Sequence, residues 1–236
     1  MKTDENFIFV AEEFTEIRYK PSGSFLDQIG QIADYIEGKG LFPHWEIDQH
    51  TIAFRDTAEG AKKTSAFITY NNAGYISYGA PTLNFFHEKA ISFWKSIEQL
   101  SIFKIPPIQR IGLRNKCFVK VNQSFEALEK KLFESLFALD ISSKIGGKRK
   151  DIQVVFDLVE GDKNIRLILG PLKPNEAKKH FRFESEHFSS AGLFIDIDIY
   201  KEGVAKNSEV ALFIKDSSNS AWQKINIIAT LIGEGE

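Results

Sequence analysis

Residues 106–121 read "PPIQRIGLRNKCFVKV", and the alternation in this stretch decides the fold. Ile111, Leu113, Cys117, Val119 and Val121 fall on one side of an extended chain, with Asn115 out of character among them. Arg110, Gly112, Arg114, Lys116, Phe118 and Lys120 fall on the other, because successive side chains of a strand point to opposite faces. A strand with one apolar and one cationic face belongs to an antiparallel sheet that helices cover on one side and solvent meets on the other. The prolines at 106 and 107 break the element before them, so this strand opens a new unit near mid-chain.

Upstream, residues 12–20 read as a strand ending at Pro21, with Glu16 and Arg18 on one face and Ile17 and Tyr19 on the other. Ser24 and Asp27 have capping-box spacing for a helix carrying Phe25, Ile29, Ile32, Ala33 and Ile36, closed by Gly38 and Gly40. Strand-like pieces follow at 44–47, 51–56, 63–71 and 74–80, with a hairpin turn expected over Asn71–Gly74. Pro81 and Thr82 open a second helix with Leu83, Phe86, Ala90, Phe93, Trp94, Ile97 and Leu100 on one stripe.

Downstream the order repeats. A helix from Ser124 carries Phe125, Leu128, Leu132, Leu136 and Leu139, and a polar connector spans 142–150. Strands are expected at 151–160, 163–170, 179–188 and 192–201, with Gly161 and Asp162 turning between the first two. A closing helix runs from about Ser220 through Ala221, Trp222, Ile225, Ile228, Ala229 and Ile232. The fold class is therefore α+β. Two fused strand–helix–antiparallel-strands–helix units, at 8–104 and 108–233, form a curved antiparallel sheet with helices on one face.

That order of elements is similar to the TATA-box-binding protein fold, where two such units share one curved sheet; a likeness of topology carries no function. The run Arg110, Ile111, Gly112, Leu113, Arg114 resembles the Arg-Ile-Gly-Leu-Arg-Tyr strand of a sporadically distributed prokaryotic family of unassigned function. This chain has Asn115 where that family carries an aromatic residue. The resemblance implies a mobile or defence-associated setting and supplies no site.

Composition narrows the function classes. Thirty Lys and Arg against 32 Asp and Glu leave a net charge of -2. This balance argues against strong non-specific binding to nucleic acid or an anionic membrane. The single cysteine, Cys117, rules out an intramolecular disulfide and reads as a buried, reduced thiol, which fits a cytoplasmic setting. The acidic stretch "MKTDENFIFVAEEF" lacks a signal peptide's apolar core, and no apolar run reaches spanning length. The 21 phenylalanines follow the strand and helix periods, so they predict an aromatic core, which Phe42 and Trp45 seal at one end.

Chemical motifs are thin. The five histidines form no His-x-x-x-His pair, and no Gly-x-Ser-x-Gly occurs. His180, Glu184, Asp196 and Asp198 share the polar faces of the last two strands, where carboxylates more often meet arginine or water than a metal. Lys144, Lys148, Arg149 and Lys150 lie in what reads as a flexible connector, with contact to an anionic partner as its alternative role. The candidate binding residues are Arg18, Arg110, Gly112, Arg114, Lys116 and Arg182 on the open face. Gly112 leaves room for a ligand or a large neighbouring side chain. Arg110 and Arg114 either grip an anion or pair with Glu16, Asp157 and other sheet acids, and pairing is favoured because charges on a central strand need partners. The expected function is a non-enzymatic protein-interaction module using the open face or the exposed edge, in an accessory, antitoxin-like or defence-associated role. A nucleic-acid or nucleotide-binding module is the alternative. No cofactor, no metal and no membrane partner are expected.

Overall fold

The computed structural model describes residues 7–79, 84–137, 147 and 149–233. The first unit runs β1 (Ile8–Tyr19), α1 (Gly23–Gly38), β2 (His44–Asp48), β3 (Thr51–Thr57), β4 (Gly60–Thr69), β5 (Asn72–Tyr78) and α2 (Phe85–Glu98). The second runs β6 (Ile108–Lys120), α3 (Phe125–Leu136), β7 (Val154–Glu160), β8 (Lys163–Leu172), β9 (Gly192–Ala205) and α4 (Asn207–Gly233). All nine strands join one curved antiparallel sheet in the order β2-β3-β4-β5-β1-β6-β9-β8-β7. The strands that open the two units, β1 and β6, pair at its centre. Among the described residues, no helix is long and apolar enough to cross a membrane.

One face of the sheet carries the main core, as the alternation in β6 requires. Ile111, Leu113, Cys117 and Val119 are buried there with Ile195, Ile197 and Ile199 of β9. From α2, Phe86, Phe93, Trp94 and Ile97 pack into the same core, each burial worth roughly 1.5–3 kcal/mol. Phe42 stacks among Phe54, Tyr75 and Phe93, and Trp45 packs against the core with its indole N–H donating to Glu37. Cys117 is a buried free thiol, and burial pushes its pKa up.

Several boundaries differ from the sequence expectation, each for a local reason. The first strand begins at Ile8 rather than residue 12, because Glu12 and Glu13 are both buried strand residues. α1 starts at Gly23 with Ser22 as its N-cap; Ser24 lies inside the helix and does not cap it. The β4–β5 turn is tighter than Asn71–Gly74, since Ala73 already pairs with Ile68 and Gly74 with Phe67. Gly74 sits in the strand because a Cβ there would strike the Phe67 ring and approach the Thr15 carbonyl oxygen to 2.9 Å. In α3, Ser124 caps as expected, accepting from the Ala127 amide at 3.2 Å, but Leu136 is exposed. The turn at Gly161 and Asp162 is as read: Glu160 pairs with Lys163, and Gly161 takes φ 63°. Pro81, Thr82, Leu83, Leu139, Lys144 and Lys148 lie outside the described residues.

Two corrections are larger. α4 begins at Asn207, well before Ser220, because the buried serines Ser217 and Ser218 interrupt an apolar stripe that otherwise includes Val210, Phe213 and Ile214. Residues 179–188 form no strand. Two short 3₁₀ turns, Glu176–Lys179 and Glu186–Ser189, fold this segment across the far end of the open face. There Phe181, Ala177 and Phe188 build a second, smaller core with Val10, Phe118, Leu172 and Phe194. The alternation of Phe181 and Phe183 with polar residues therefore reports packing onto a sheet rather than membership of one.

Candidate functional site

The open face at the sheet centre is built by register. β1 and β6 align Glu12 with Lys116, Phe14 with Arg114, Glu16 with Gly112 and Arg18 with Arg110. β9 adds Asp198 opposite Arg114 and Asp196 opposite Lys116. Of these residues, all but Asp196 line a cavity of about 200 Å³. All six candidate residues line it, five of them from the strands and Arg182 from the segment that folds over the sheet. Glu12, Phe14, Glu16 and Asp198 complete the wall.

Each cation has a carboxylate neighbour. Arg114 holds Asp196 through two hydrogen bonds, 2.8 Å from Nε and 2.6 Å from Nη2, and this raises the Arg114 pKa. Arg110 lies 3.4 Å from Asp198 and 3.9 Å from Glu16, with its guanidinium 4.5 Å over the Tyr200 ring. Lys116 Nζ donates to Glu12 and to the His180 carbonyl oxygen, both at 3.2 Å. The Arg182 amide donates to the other Glu12 oxygen at 2.9 Å, so Glu12 ties the covering segment to the sheet. Arg18 pairs with Glu16 at 2.8 Å, and Asn72 donates to the second oxygen of the same carboxylate. Asp198 has its pKa raised by burial, opposed by Arg110 and Arg114. The expected pairing of Arg110 with Glu16 is present, whereas Asp157 pairs with Arg166. The space above Gly112 holds the Arg110 guanidinium, whose atoms lie 3.6–3.7 Å from where a Cβ would stand.

Burial sets Glu12 and Glu16 apart from three of the arginines. The Glu12 and Glu16 side chains are only 4% and 12% exposed, while Arg114, Arg18 and Arg182 are 46%, 53% and 65% exposed. Glu12 and Glu16 lie on the floor and Arg18, Arg114 and Arg182 form the rim, while Arg110 and Lys116, at 21% and 17%, sit deeper than Asp198 at 32%.

His180, Glu184, Asp196 and Asp198 do not converge on a metal site. Asp196 is held by Arg114, Glu184 pairs with Lys178, and the His180 ring packs on Phe194. Among the described residues, no group of three or more His, Cys, Asp or Glu could hold a metal ion. Within the connector, Arg149 pairs with Glu129 and stacks on Phe133, an internal role.

The most perturbed acid lies on the opposite face of the sheet. Glu13 is fully buried beneath α4, and burial raises its pKa to about 8 against the pull of the Trp222 indole N–H and the Ser218 hydroxyl. Trp222 Nε1 donates to Glu13 Oε1 at 3.0 Å, and Asn115 Nδ2 approaches the same oxygen at 3.4 Å. Glu13 Oε2, Asn115 Oδ1 and Ser77 Oγ are buried without a hydrogen-bond partner. A proton on Glu13 Oε2 turns that unpaired acceptor into a donor. Sequence reasoning passed over Glu13, Glu12 and Phe14; the signal was Asn115, the polar residue on the apolar face of β6, which is the register partner of Glu13. No protein-family model matches the chain, and no curated protein matches it.

Proposed function

We propose that this protein is a non-enzymatic protein-interaction module whose open sheet face receives an acidic side chain of a partner protein. The observation that carries this reading is the guanidinium rim over a buried carboxylate floor. A partner meets Arg18, Arg114 and Arg182 first, and the acids below hold those arginines in place while exposing little negative charge themselves. Arginine suits the task because its planar fork keeps free N–H donors after one carboxylate is bound. Arg114 uses Nε and Nη2 on Asp196, which leaves Nη1 for a ligand. The cavity volume suits one carboxylate-bearing side chain.

Binding rather than chemistry is supported by the placement of titratable groups. The groove acids and bases are engaged with one another, and the acid poised nearest neutrality, Glu13, is sealed under a helix on the other side of the sheet. A nucleic-acid ligand is the alternative, since the same rim also suits phosphate. Against it, Asp198 and Asp157 interrupt the face toward β7, where a phosphate backbone needs a continuous basic track.

NMR titration of the full chain with a hexaglutamate peptide, inorganic phosphate and a short oligothymidylate separates these readings. The expected result is binding of the acidic peptide that weakens with salt and falls at least several-fold in Arg18→Gln and Arg182→Gln. Oligothymidylate bound more tightly than the peptide, or peptide binding indifferent to both substitutions, would overturn the proposal.

A further inference from the structure

The outer edge of β7 is the second surface that the fold leaves incomplete. β7 ends the sheet, and among the described residues no strand pairs with its outer side. The two-residue turn at Gly161 and Asp162 makes Glu160 and Lys163 a hydrogen-bonded pair. By alternation Leu158, Phe156 and Val154 also bond to β8, so the N–H and C=O groups of Val155, Asp157 and Val159 point outward. Val155 and Val159 are 44% and 76% exposed. The opposite edge is better protected: β2 has five residues, among them His44, Glu46 and Asp48.

Charge identifies the occupant. Arg114, Asp198, Arg166 and Asp157 are successive register partners across β6, β9, β8 and β7, so charge alternates along one row and stops at the edge on an anion. Arg166 reaches Asp157 at 3.0 and 3.3 Å. A strand added at this edge would continue the row with a cation opposite Asp157 and apolar residues opposite Val155 and Val159. We infer that β7 is a β-augmentation site for an extended segment of a partner protein that carries Lys or Arg with an apolar residue two positions away on each side. A second copy of this chain fits less well. Antiparallel pairing that matches the valines sets Asp157 opposite itself, and like charges directly opposite are destabilising.

This edge is separate from the arginine-rimmed groove, so the two are assayed independently. The probes are two synthetic peptides, one with lysine between alternate valines and one with glutamate in its place, titrated by NMR into the full chain. The lysine peptide is expected to bind about three- to tenfold more tightly, with shifts concentrated at the amides of Val155, Asp157 and Val159. Asp157→Lys should reverse that preference. Val159→Pro should abolish binding of both peptides while leaving the circular dichroism spectrum and melting temperature close to wild type, because the lost N–H makes no bond to β8. Equal affinity for the two peptides, binding that survives in a folded Val159→Pro variant, or no binding at low-millimolar peptide would each overturn the proposal. So would dimerisation in sedimentation that Val159→Pro abolishes, since it would put a second copy on the edge.

Discussion

Replacing Glu13 by glutamine should make the protein more stable at neutral pH, although it removes an ionisable group from the middle of the structure. Glu13 is fully buried, and its carboxyl takes up a proton with a pKa of about 8 in the folded protein against an ordinary value of 4.5. A raised acid pKa means that the folded chain holds a proton which the unfolded chain has released. Its stabilising contribution is complete below pH 4.5 and is lost progressively as the pH rises through 8. Each pH unit of that window is worth about 1.36 kcal/mol, so roughly 5 kcal/mol disappears across it and about 3 kcal/mol is already gone at pH 7.

Glutamine keeps the shape, accepts from the Trp222 indole and offers an amide donor to Asn115 Oδ1, Ser77 or Ser218, without titrating. Urea unfolding of the wild type and of Glu13→Gln from pH 4 to 9 measures the difference directly, and groups common to both proteins cancel. The variant should match the wild type near pH 4, exceed it by about 3 kcal/mol at pH 7 and level off above pH 8. At pH 7 that corresponds to a melting temperature roughly 6–12 °C higher. A variant less stable than wild type at pH 7, or a difference that does not change with pH, would refute the neutral buried acid and require an ionised one.

Other substitutions probe the remaining parts. Arg114→Ala leaves the buried Asp196 carboxylate without its bidentate partner and should cost about 1–3 kcal/mol, discounted for the exposure of the arginine; adding Asp196→Asn should recover most of that in denaturant melts. Gly192→Ala would push a methyl into the Phe118 ring and towards the Val119 carbonyl oxygen at 2.6 Å, costing roughly 1–3 kcal/mol. Gly30→Ala, inside α1 with nothing within 4 Å, should instead raise stability by about 0.5–1 kcal/mol. Phe188→Ala should remove about 3–5 kcal/mol from the smaller core and speed hydrogen exchange over 173–190 before the central strands respond.

The sequence displays the faces of the sheet because alternation is a local property. Arg110 to Lys120 and Asp196 to Asp198 announce a charged side wherever their partners lie, and β6 and β9 present those residues as read. Which cation meets which acid depends on register between strands far apart in the chain. Glu12, Arg114 and Arg182 reach one groove from three distant positions, and no short window contains that information. The 179–188 segment departs from its strand-like pattern for a related reason. A chain lying on an apolar patch and a chain hydrogen-bonded into a sheet both need a non-polar residue at every second position, and Phe181 and Phe183 satisfy either.

Three anomalies of pattern meet, through Glu13, Asn115 and Ser218, in one buried cluster. Asn115 breaks the apolar face of β6, Ser217 and Ser218 hide the first half of α4, and Glu13 sits beside another acid in a strand. Taken singly, each polar residue argues against burial, because an unpaired polar group in a core is costly. Glu13, Asn115, Ser218 and Trp222 answer one another across more than 200 residues of chain, from 13 to 222. The cluster joins β1 of the first unit to β6 and α4 of the second, so it constrains how the halves dock. Apolar residues alone would fill that space in many arrangements, whereas a carboxyl that must meet an indole N–H and an amide accepts few. Destabilisation by the Glu13 carboxyl at neutral pH and a unique seating of α4 on the sheet are therefore two consequences of the same buried acid.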